Sequence, residues 1–160
     1  MRKGLVILVV AIIATILVAG CTSAPSGGGT PTPTAQPTGT STAYTVMTAS
    51  NSQLGTFLVD GKGITLYNFT IDSRDSSVCT GGCVGVWPVF YTSSISVPNG
   101  LTASDFSSFT RSDGKMQTAY KGMPLYYYIG DSSPGQTTGQ GLNQFGGLWY
   151  VVPPNSAGYP

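Results

Sequence analysis

The sequence predicts an all-β protein: one small domain made of two pseudo-equivalent repeats of the β-hairpin or meander type. Three observations indicate this class. Short runs of strand-forming residues alternate with glycine and aspartate turns. Good helix formers are scarce, since the chain has no glutamate. One pattern occurs twice along the chain. A signal peptide (residues 1–20) and a disordered stalk (residues 21–43) precede the predicted domain, residues 44–160.

The first element is an export signal. Arg2 and Lys3 precede an uncharged apolar run, and Val18-Ala19-Gly20 before Cys21 forms a small-residue cleavage site. Bacterial and archaeal lipoprotein processing cleaves before such a cysteine and attaches lipid to its thiol. We therefore expect lipidation at Cys21 and a protein anchored to the extracytoplasmic face of the cell membrane. The alternative is an uncleaved anchor, which needs about 20 apolar residues and leaves Cys21 unexplained.

The stalk is rich in threonine, proline, serine and glycine and carries no charge. Such a segment cannot bury enough apolar surface to fold, and its Thr-Pro repeats favour extended conformations. We expect it to hold the domain away from the lipid surface.

Composition excludes several classes of function. Without Arg2 and Lys3, the seven lysines and arginines become five against six aspartates, a net charge of −1. So few cations argue against nucleic acid as a partner. Because the chain has no histidine, it has no Ser-His-Asp or Cys-His nucleophile, histidine-ligated zinc, blue-copper site or c-type haem motif. We assign no catalytic residue and expect no metal and no cofactor.

The predicted strands are short and separated by turns. They comprise residues 44–48, 56–59, 64–69, 115–120, 123–129 and 148–152. The turn Asp60-Gly61-Lys62-Gly63 predicts one hairpin, and Lys121-Gly122 predicts another. No long helix is predicted, only a helical turn near Ser104-Asp105-Phe106.

The domain contains an internal duplication. Residues 63–72 align with residues 122–131, and residues 85–90 align with residues 147–152. Two correspondences in the same order indicate a true repeat, with copies at about residues 54–90 and 113–152. Neither copy alone could easily bury its aromatic face, so we expect one shared core.

The repeated positions are candidate structural residues: Tyr67, Phe69, Asp72 and Trp87 in the first copy, and Tyr126, Tyr128, Asp131 and Trp149 in the second. Tyr67 and Phe69 share one strand face, which favours a core position over a stacking platform for ligands. Each repeated aspartate is expected to accept loop backbone N–H groups at positions related by an approximate twofold axis. The alternative makes the aspartates calcium ligands.

These residues resemble the hallmarks of the secreted-repeat lipoprotein family, which carries a Tyr-x-aromatic-x-x-Asp motif. Cys79-Thr80-Gly81-Gly82-Cys83 leading into Trp87-Pro88, and residues 134–141 leading into Trp149, are similar to further family features. The resemblance covers about residues 54–152, with a single proline after Trp87 where a pair is common. It implies a cell-envelope protein and no established activity.

The two cysteines of the domain form an even pair once Cys21 carries lipid. In an exported protein we expect a Cys79–Cys83 disulfide, which a bent Gly81-Gly82 backbone permits. A redox-active pair is the alternative, although no basic neighbour lowers a thiol pKa. A metal site would need two further ligands, and the sequence offers only carboxylates.

Three other features mark possible surfaces. Asn68-Phe69-Thr70 matches a glycosylation acceptor, with Asn68 on the face opposite Phe69. The glycine-rich residues 130–147 lack a phosphate-loop lysine and are interpreted as a mobile contact loop. Arg111, Lys115 and Lys121 are the cations expected near a partner site.

Together these observations predict a lipid-anchored cell-envelope protein that acts as a non-catalytic binding or structural module. Its expected partners are the membrane, through the lipid, and a cell-surface polymer or protein. Two alternatives remain open: a redox protein acting through Cys79 and Cys83, and a metal-binding protein or enzyme using Asp72, Asp75 or Asp131.

Overall fold

Short antiparallel strands make up most of the fold, as the sequence predicts. The computed structural model of this chain describes residues 43–157. In chain order the elements are β1 (Val46–Asn51), β2 (Gly55–Asp60), β3 (Tyr67–Phe69), α1 (Gly82–Val86), a 3₁₀ turn (Ala103–Asp105), β4 (Phe106–Thr110), β5 (Met116–Tyr120), β6 (Met123–Pro124), β7 (Asn143–Gln144) and β8 (Gly147–Val151). Cys21, the predicted signal peptide and nearly all of the predicted stalk lie outside the described residues.

The first hairpin joins β1 to β2, a pairing that the sequence did not predict. It closes where the Asn51 side-chain oxygen accepts the backbone N–H groups of Gln53 (3.0 Å) and Leu54 (2.8 Å). Gly55 follows with φ of +68°, a left-handed conformation that glycine adopts without steric cost. An asparagine side chain that mimics a turn leaves only a weak signal in the sequence.

The hairpin predicted across Asp60-Gly61-Lys62-Gly63 is only partly correct. The turn is present, because the Asp60 N–H donates to the Ile64 carbonyl at 2.8 Å. Beyond the turn a bridge joins Val59 to Thr65, and β3 then pairs with β8. The hairpin partner of β2 is therefore β1 rather than β3.

The second hairpin begins directly after the 3₁₀ turn, which occupies the place of the predicted helical turn. β4 pairs with β5, and β5 continues into β6 through Lys121 and Gly122. These two residues have φ of +50° and +82°. Two successive positive φ values are typical of the type I′ turn of a tight hairpin, so the hairpin predicted here is confirmed.

α1 is a single short turn of helix beside the disulfide. The Cys79–Cys83 bond, with Cα atoms 5.3 Å apart, confirms the predicted pairing. At the end of the helix the Trp87 N–H donates to the Cys83 carbonyl at 2.8 Å. No helix within residues 43–157 has the length and apolar character needed to cross a membrane.

Each half of the domain pairs with the other half through the segment at its C-terminal end; residues 44–90 are called the first half and residues 106–152 the second half. β8 of the second half pairs with β3 of the first. Val89 of the first half in turn bridges Tyr126 of the second. At the centre, Tyr67 and Tyr126 exchange two backbone hydrogen bonds, each of 2.9 Å. The contacts therefore follow an approximate twofold axis between the halves.

Three further interhalf backbone bonds recur in equivalent positions. In each pair the first bond has its counterpart across the axis: Thr70 N–H to Leu148 O (3.0 Å) and Ile129 N–H to Val86 O (3.1 Å), Val152 N–H to Leu66 O (3.3 Å) and Phe90 N–H to Leu125 O (2.9 Å), and Leu58 N–H to Val152 O (2.8 Å) and Thr118 N–H to Phe90 O (2.9 Å).

The buried hydrophobic side chains of the described residues form two clusters, and both clusters draw on both halves. One contains the repeated aromatic residues and the disulfide. The other includes Leu58 and Leu66 of the first half together with Tyr120 and Leu125 of the second. Neither half therefore encloses a core by itself.

Candidate functional site

The repeated tyrosines and aspartates pair across the halves. The Tyr67 hydroxyl donates to Asp131 Oδ2 and the Tyr126 hydroxyl donates to Asp72 Oδ2, each at 2.6 Å. All four side chains are buried. Each tyrosine therefore binds the aspartate of the other copy of the motif, and a single copy cannot complete either pair.

Each of these aspartates also holds the loop that follows it. Asp72 Oδ1 accepts the Val78 N–H at 2.8 Å. Asp131 Oδ1 accepts both the N–H (2.9 Å) and the hydroxyl (2.6 Å) of Thr138. A carboxylate that accepts loop N–H groups replaces the bonds that a strand would have made. These are the loop contacts that the sequence leads one to expect.

The repeated aromatic residues form a stack at the interface. Along the stack the rings follow the order Phe69, Trp149, Trp87, Tyr128, with centroid separations of 4.0, 3.9 and 4.5 Å. Tyr67 packs edge-on against Trp87, and Tyr126 packs edge-on against Trp149. Both faces of both indoles are covered by other rings, so the stack is core and offers no indole face to a ligand.

Residues 139–144 of the glycine-rich segment pack against this stack, whereas residues 132–135 are exposed. The mobility of the segment remains a prediction. Gln144 accepts the indole N–H of Trp87 with its side chain (3.0 Å) and that of Trp149 with its backbone carbonyl (3.2 Å). The Gly141 N–H donates to the Trp149 carbonyl at 2.7 Å. A Cβ at Gly139 would lie 2.8 Å from the Trp87 ring, so the glycine permits this close approach.

Arg111 was expected at a partner surface but lies inside the domain. Its guanidinium donates to the Ser77 hydroxyl (2.7 Å), the Gln117 side-chain oxygen (2.5 Å) and the Cys79 carbonyl (2.6 Å). Nε forms an ion pair with Asp113 at 3.2 Å. This hydrogen bond from Arg111 lowers the pKa of the exposed Asp113 carboxyl. The sequence carries no sign that Arg111, rather than Lys115, turns inward.

Burial dominates the titration of the pair formed by Asp72 and Tyr126. Removal from water raises the pKa of Asp72 to about 6, although the bonds from Tyr126 and Val78 oppose the shift. Burial likewise raises the pKa of the Tyr126 hydroxyl above its usual range. Tyr126 also contacts the Ser77 hydroxyl at 2.5 Å, and either oxygen can be the donor. The chain of bonds from Asp72 to Ser77 can therefore reverse when Asp72 takes a proton.

The disulfide has little access to solvent. Cys79 is 1% exposed and Cys83 is 4% exposed within the cluster that contains the tryptophans. Thiol–disulfide exchange requires an attacking thiolate to reach one of the sulfurs. This burial is typical of a structural disulfide.

Asn68 does not present its side chain outward as the strand alternation predicted. The residue is half-buried, and its amide nitrogen faces Met123 Sδ at 3.4 Å. Its amide oxygen is buried and has no hydrogen-bond partner among residues 43–157. The second cluster covers this face of β3, which is why alternation alone misplaced the side chain. Glycosylation at Asn68 remains a prediction.

Four charged side chains line a polar cleft of about 310 Å³: Arg74, Asp75, Asp105 and Lys121. Lys121 Nζ lies 3.8 Å from Asp105 Oδ2, and Asp75 accepts the Ser107 hydroxyl at 2.8 Å. Asp75 and Lys121 both have φ of +50°, which fixes the rim in an uncommon backbone conformation. Side chains of both charge signs thus face one accessible cavity.

The described residues include no group of three carboxylate or cysteine side chains arranged to hold a metal ion. Asp72 and Asp131 are instead occupied by tyrosine and loop donors. A more apolar groove of about 470 Å³, lined by residues 54–56 and 153–155, lies elsewhere on the domain.

A family model described as a secreted repeat of unknown function matches residues 48–91 and residues 107–153. The two matched segments contain all eight repeated positions, including both Tyr-Asp motifs. No curated protein and no solved structure matches the chain. Secretion of this repeat places the chain outside the cytoplasm.

Proposed function

We propose that this chain, which belongs to the family of secreted repeats of unknown function, is a lipid-anchored, non-catalytic module of the cell envelope. Its domain binds a cell-surface polymer or protein, or supports envelope structure, outside the cytoplasm. The lipid on Cys21 is its contact with the membrane.

The burial of the motif carries the non-catalytic part of this proposal. A catalytic carboxylate must reach the proton or atom on which it acts. Asp72 and Asp131 are 5% and 8% exposed, and each accepts bonds from the opposite tyrosine and its own loop. The repeated tyrosines and aspartates are thereby occupied in joining the halves. Function is left to exposed surfaces.

The polar cleft is the surface best suited to a partner. It brings Arg74 and Lys121 together with Asp75 and Asp105 in a domain that otherwise carries few charges. Charged and hydroxyl side chains at an accessible cavity suit a polar polymer or a polar protein segment. Lys121, expected from the sequence near a partner site, lies there, whereas Arg111 does not.

Anchoring is tested at Cys21. The Cys21→Ser chain should accumulate as unprocessed precursor and lose incorporation of labelled lipid. Thr22→Ser, one residue further on, serves as the control and should mature normally. Normal maturation and lipid labelling of Cys21→Ser would contradict the anchor.

Binding is tested at the cleft. The Arg74→Ala/Lys121→Ala protein should lose at least about tenfold in affinity for purified envelope polymer, as expected when two charged contacts are removed. Lys115→Ala removes one cation from an exposed position outside the cleft and should bind as the native protein does. Equal binding by all three proteins would contradict the assignment of the cleft.

A further inference from the structure

Each half of the domain presents a surface that its counterpart completes. The last strand of one half lies in the sheet of the other, and both hydrophobic clusters are shared. Asp72 and Asp131 find their tyrosine partners only across the interface. A half taken alone would therefore expose apolar surface and an unpaired strand edge. Its repeated aspartate would also lack its tyrosine donor.

These contacts do not depend on which chain supplies the second half. The interface follows an approximate twofold axis, so it has the self-complementary form of a symmetric dimer interface. If a second copy supplied the opposite half, the crossed Tyr–Asp pairs, the tryptophan stack and the exchanged strands would all be retained. Only the segment that connects the halves would have to change.

The connecting segment has a defined place to open. No residue between positions 91 and 105 is buried. Ser96 is bonded to Thr45 and so stays with the first half. Beyond it Pro98 and Leu101 close a turn, in which the Leu101 N–H donates to the Pro98 carbonyl at 3.2 Å and Gly100 has φ of +99°. Opened into an extended strand, residues 98–102 span up to about 17 Å.

We propose that two copies of this chain associate by exchanging halves at the Pro98–Leu101 turn, so that the first half of each chain packs on the second half of the other. In dilute solution the monomer dominates, because a short linker holds the two halves at an effective concentration of about millimolar. The exchanged dimer becomes populated as the chain concentration approaches that range.

Gly100→Val tests the hinge. Valine tolerates a φ of +99° poorly, whereas it favours the extended backbone of an open hinge. A Cβ at this position would meet no described atom within 4 Å, so the substitution strains the turn without a clash. We expect the dimer fraction, measured by gel filtration with light scattering after refolding at about 10 µM to 1 mM, to rise roughly tenfold or more.

Gly114→Val is the matched control. Gly114 has φ of +79° and likewise has open space around its Cβ position among the described atoms. It lies in the turn between β4 and β5, within the second half. This variant should lose comparable stability and remain monomeric.

A disulfide trap identifies the exchanged form. Asn68 and Tyr150 are opposite each other across the interface, so Asn68→Cys/Tyr150→Cys joins two chains only when halves are exchanged. Ser50→Cys/Thr56→Cys, a pair within the first hairpin, stays within one chain in either form. Both pairs are placed in the Cys21→Ser chain, which removes the third thiol.

The exchange is supported if Gly100→Val dimers are cross-linked between chains by the interface pair, Asn68→Cys/Tyr150→Cys. The hairpin pair, Ser50→Cys/Thr56→Cys, should link residues only within each chain. The proposal is overturned if Gly100→Val stays monomeric like Gly114→Val, or if its dimers carry only intrachain links at the interface pair. If Gly100→Val does not fold, the interface pair is tested in the chain that keeps Gly100, refolded at about 1 mM. Links between chains then support the exchange, and purely intrachain links overturn it.

Discussion

Replacing Tyr67 with phenylalanine removes one hydroxyl from the interface between the halves. That hydroxyl donates to Asp131 at 2.6 Å and accepts the Gly139 N–H at 3.3 Å, at a buried site. A hydrogen bond to a carboxylate contributes about 1.5–3 kcal/mol, and an orphaned buried partner adds to the loss. We therefore expect Tyr67→Phe to lower the free energy of unfolding by about 2–3 kcal/mol.

The crossed geometry makes a sharper prediction about coupling. In a double-mutant cycle, Tyr67→Phe and Asp131→Asn should show a coupling energy of about 1–2 kcal/mol, because their side chains share one bond. Tyr67→Phe and Asp72→Asn should be additive within about 0.5 kcal/mol. Tyr67 and Asp72 belong to the same copy of the motif but are bonded to different partners.

Urea unfolding at pH 7.5 measures both cycles, with the fluorescence of Trp87 and Trp149 as the signal. The two tryptophans lie in the interface stack, so their fluorescence reports its opening directly. A coupling of Tyr67 to Asp72 that equals or exceeds its coupling to Asp131 would refute the crossed pairing. Additivity in both cycles would refute it as well.

Three other substitutions test separate parts of the structure. The pKa of Asp72 rises on folding from about 3.8 to about 6, so the folded state holds this proton more tightly. Protonated Asp72 therefore contributes about 3 kcal/mol to the free energy of unfolding below pH 4, and this contribution is lost as the pH rises through 6. Unfolding measured from pH 4 to 7 should lose this slope in Asp72→Asn, and an unchanged slope would contradict the assignment. In thermal melts, Gly139→Ala should lower the stability by about 1–3 kcal/mol because its Cβ crowds the Trp87 ring. The control Gly82→Ala, whose Cβ meets no described atom within 4 Å, should cost little. Equal costs would rule out crowding. Cys79→Ser/Cys83→Ser should still fold, losing less than about 3 kcal/mol because the closed loop is short. Amide exchange should accelerate at residues 78–87, and failure to fold would contradict this local role.

Much of the core could be predicted because its aromatic residues belong to an internal sequence repeat. Two copies of an aromatic strand ending in aspartate, each followed by a tryptophan strand, indicated one shared core. The even pair of cysteines in an exported domain indicated the disulfide. The hairpin at Lys121-Gly122 is also indicated by the sequence, because two runs of strand-forming residues flank a glycine turn.

The crossing of the pairs could not be predicted from the same pattern. A tyrosine five positions before an aspartate has the same spacing whether Tyr67 bonds Asp72 or Asp131. Only the pairing of the C-terminal segment of each half with the other half decides this, and it depends on long-range packing. The inward turn of Arg111 is of the same kind, because its acceptors at Ser77 and Cys79 are distant in the sequence.

The measurement closest to the central claim is the binding of folded Tyr67→Phe protein to purified envelope polymer, at a temperature well below its unfolding transition. The motif joins the two halves, so this protein should be less stable than the native chain yet bind with the same affinity. Loss of binding in protein that is still folded would place the motif in the functional site and contradict a purely structural role.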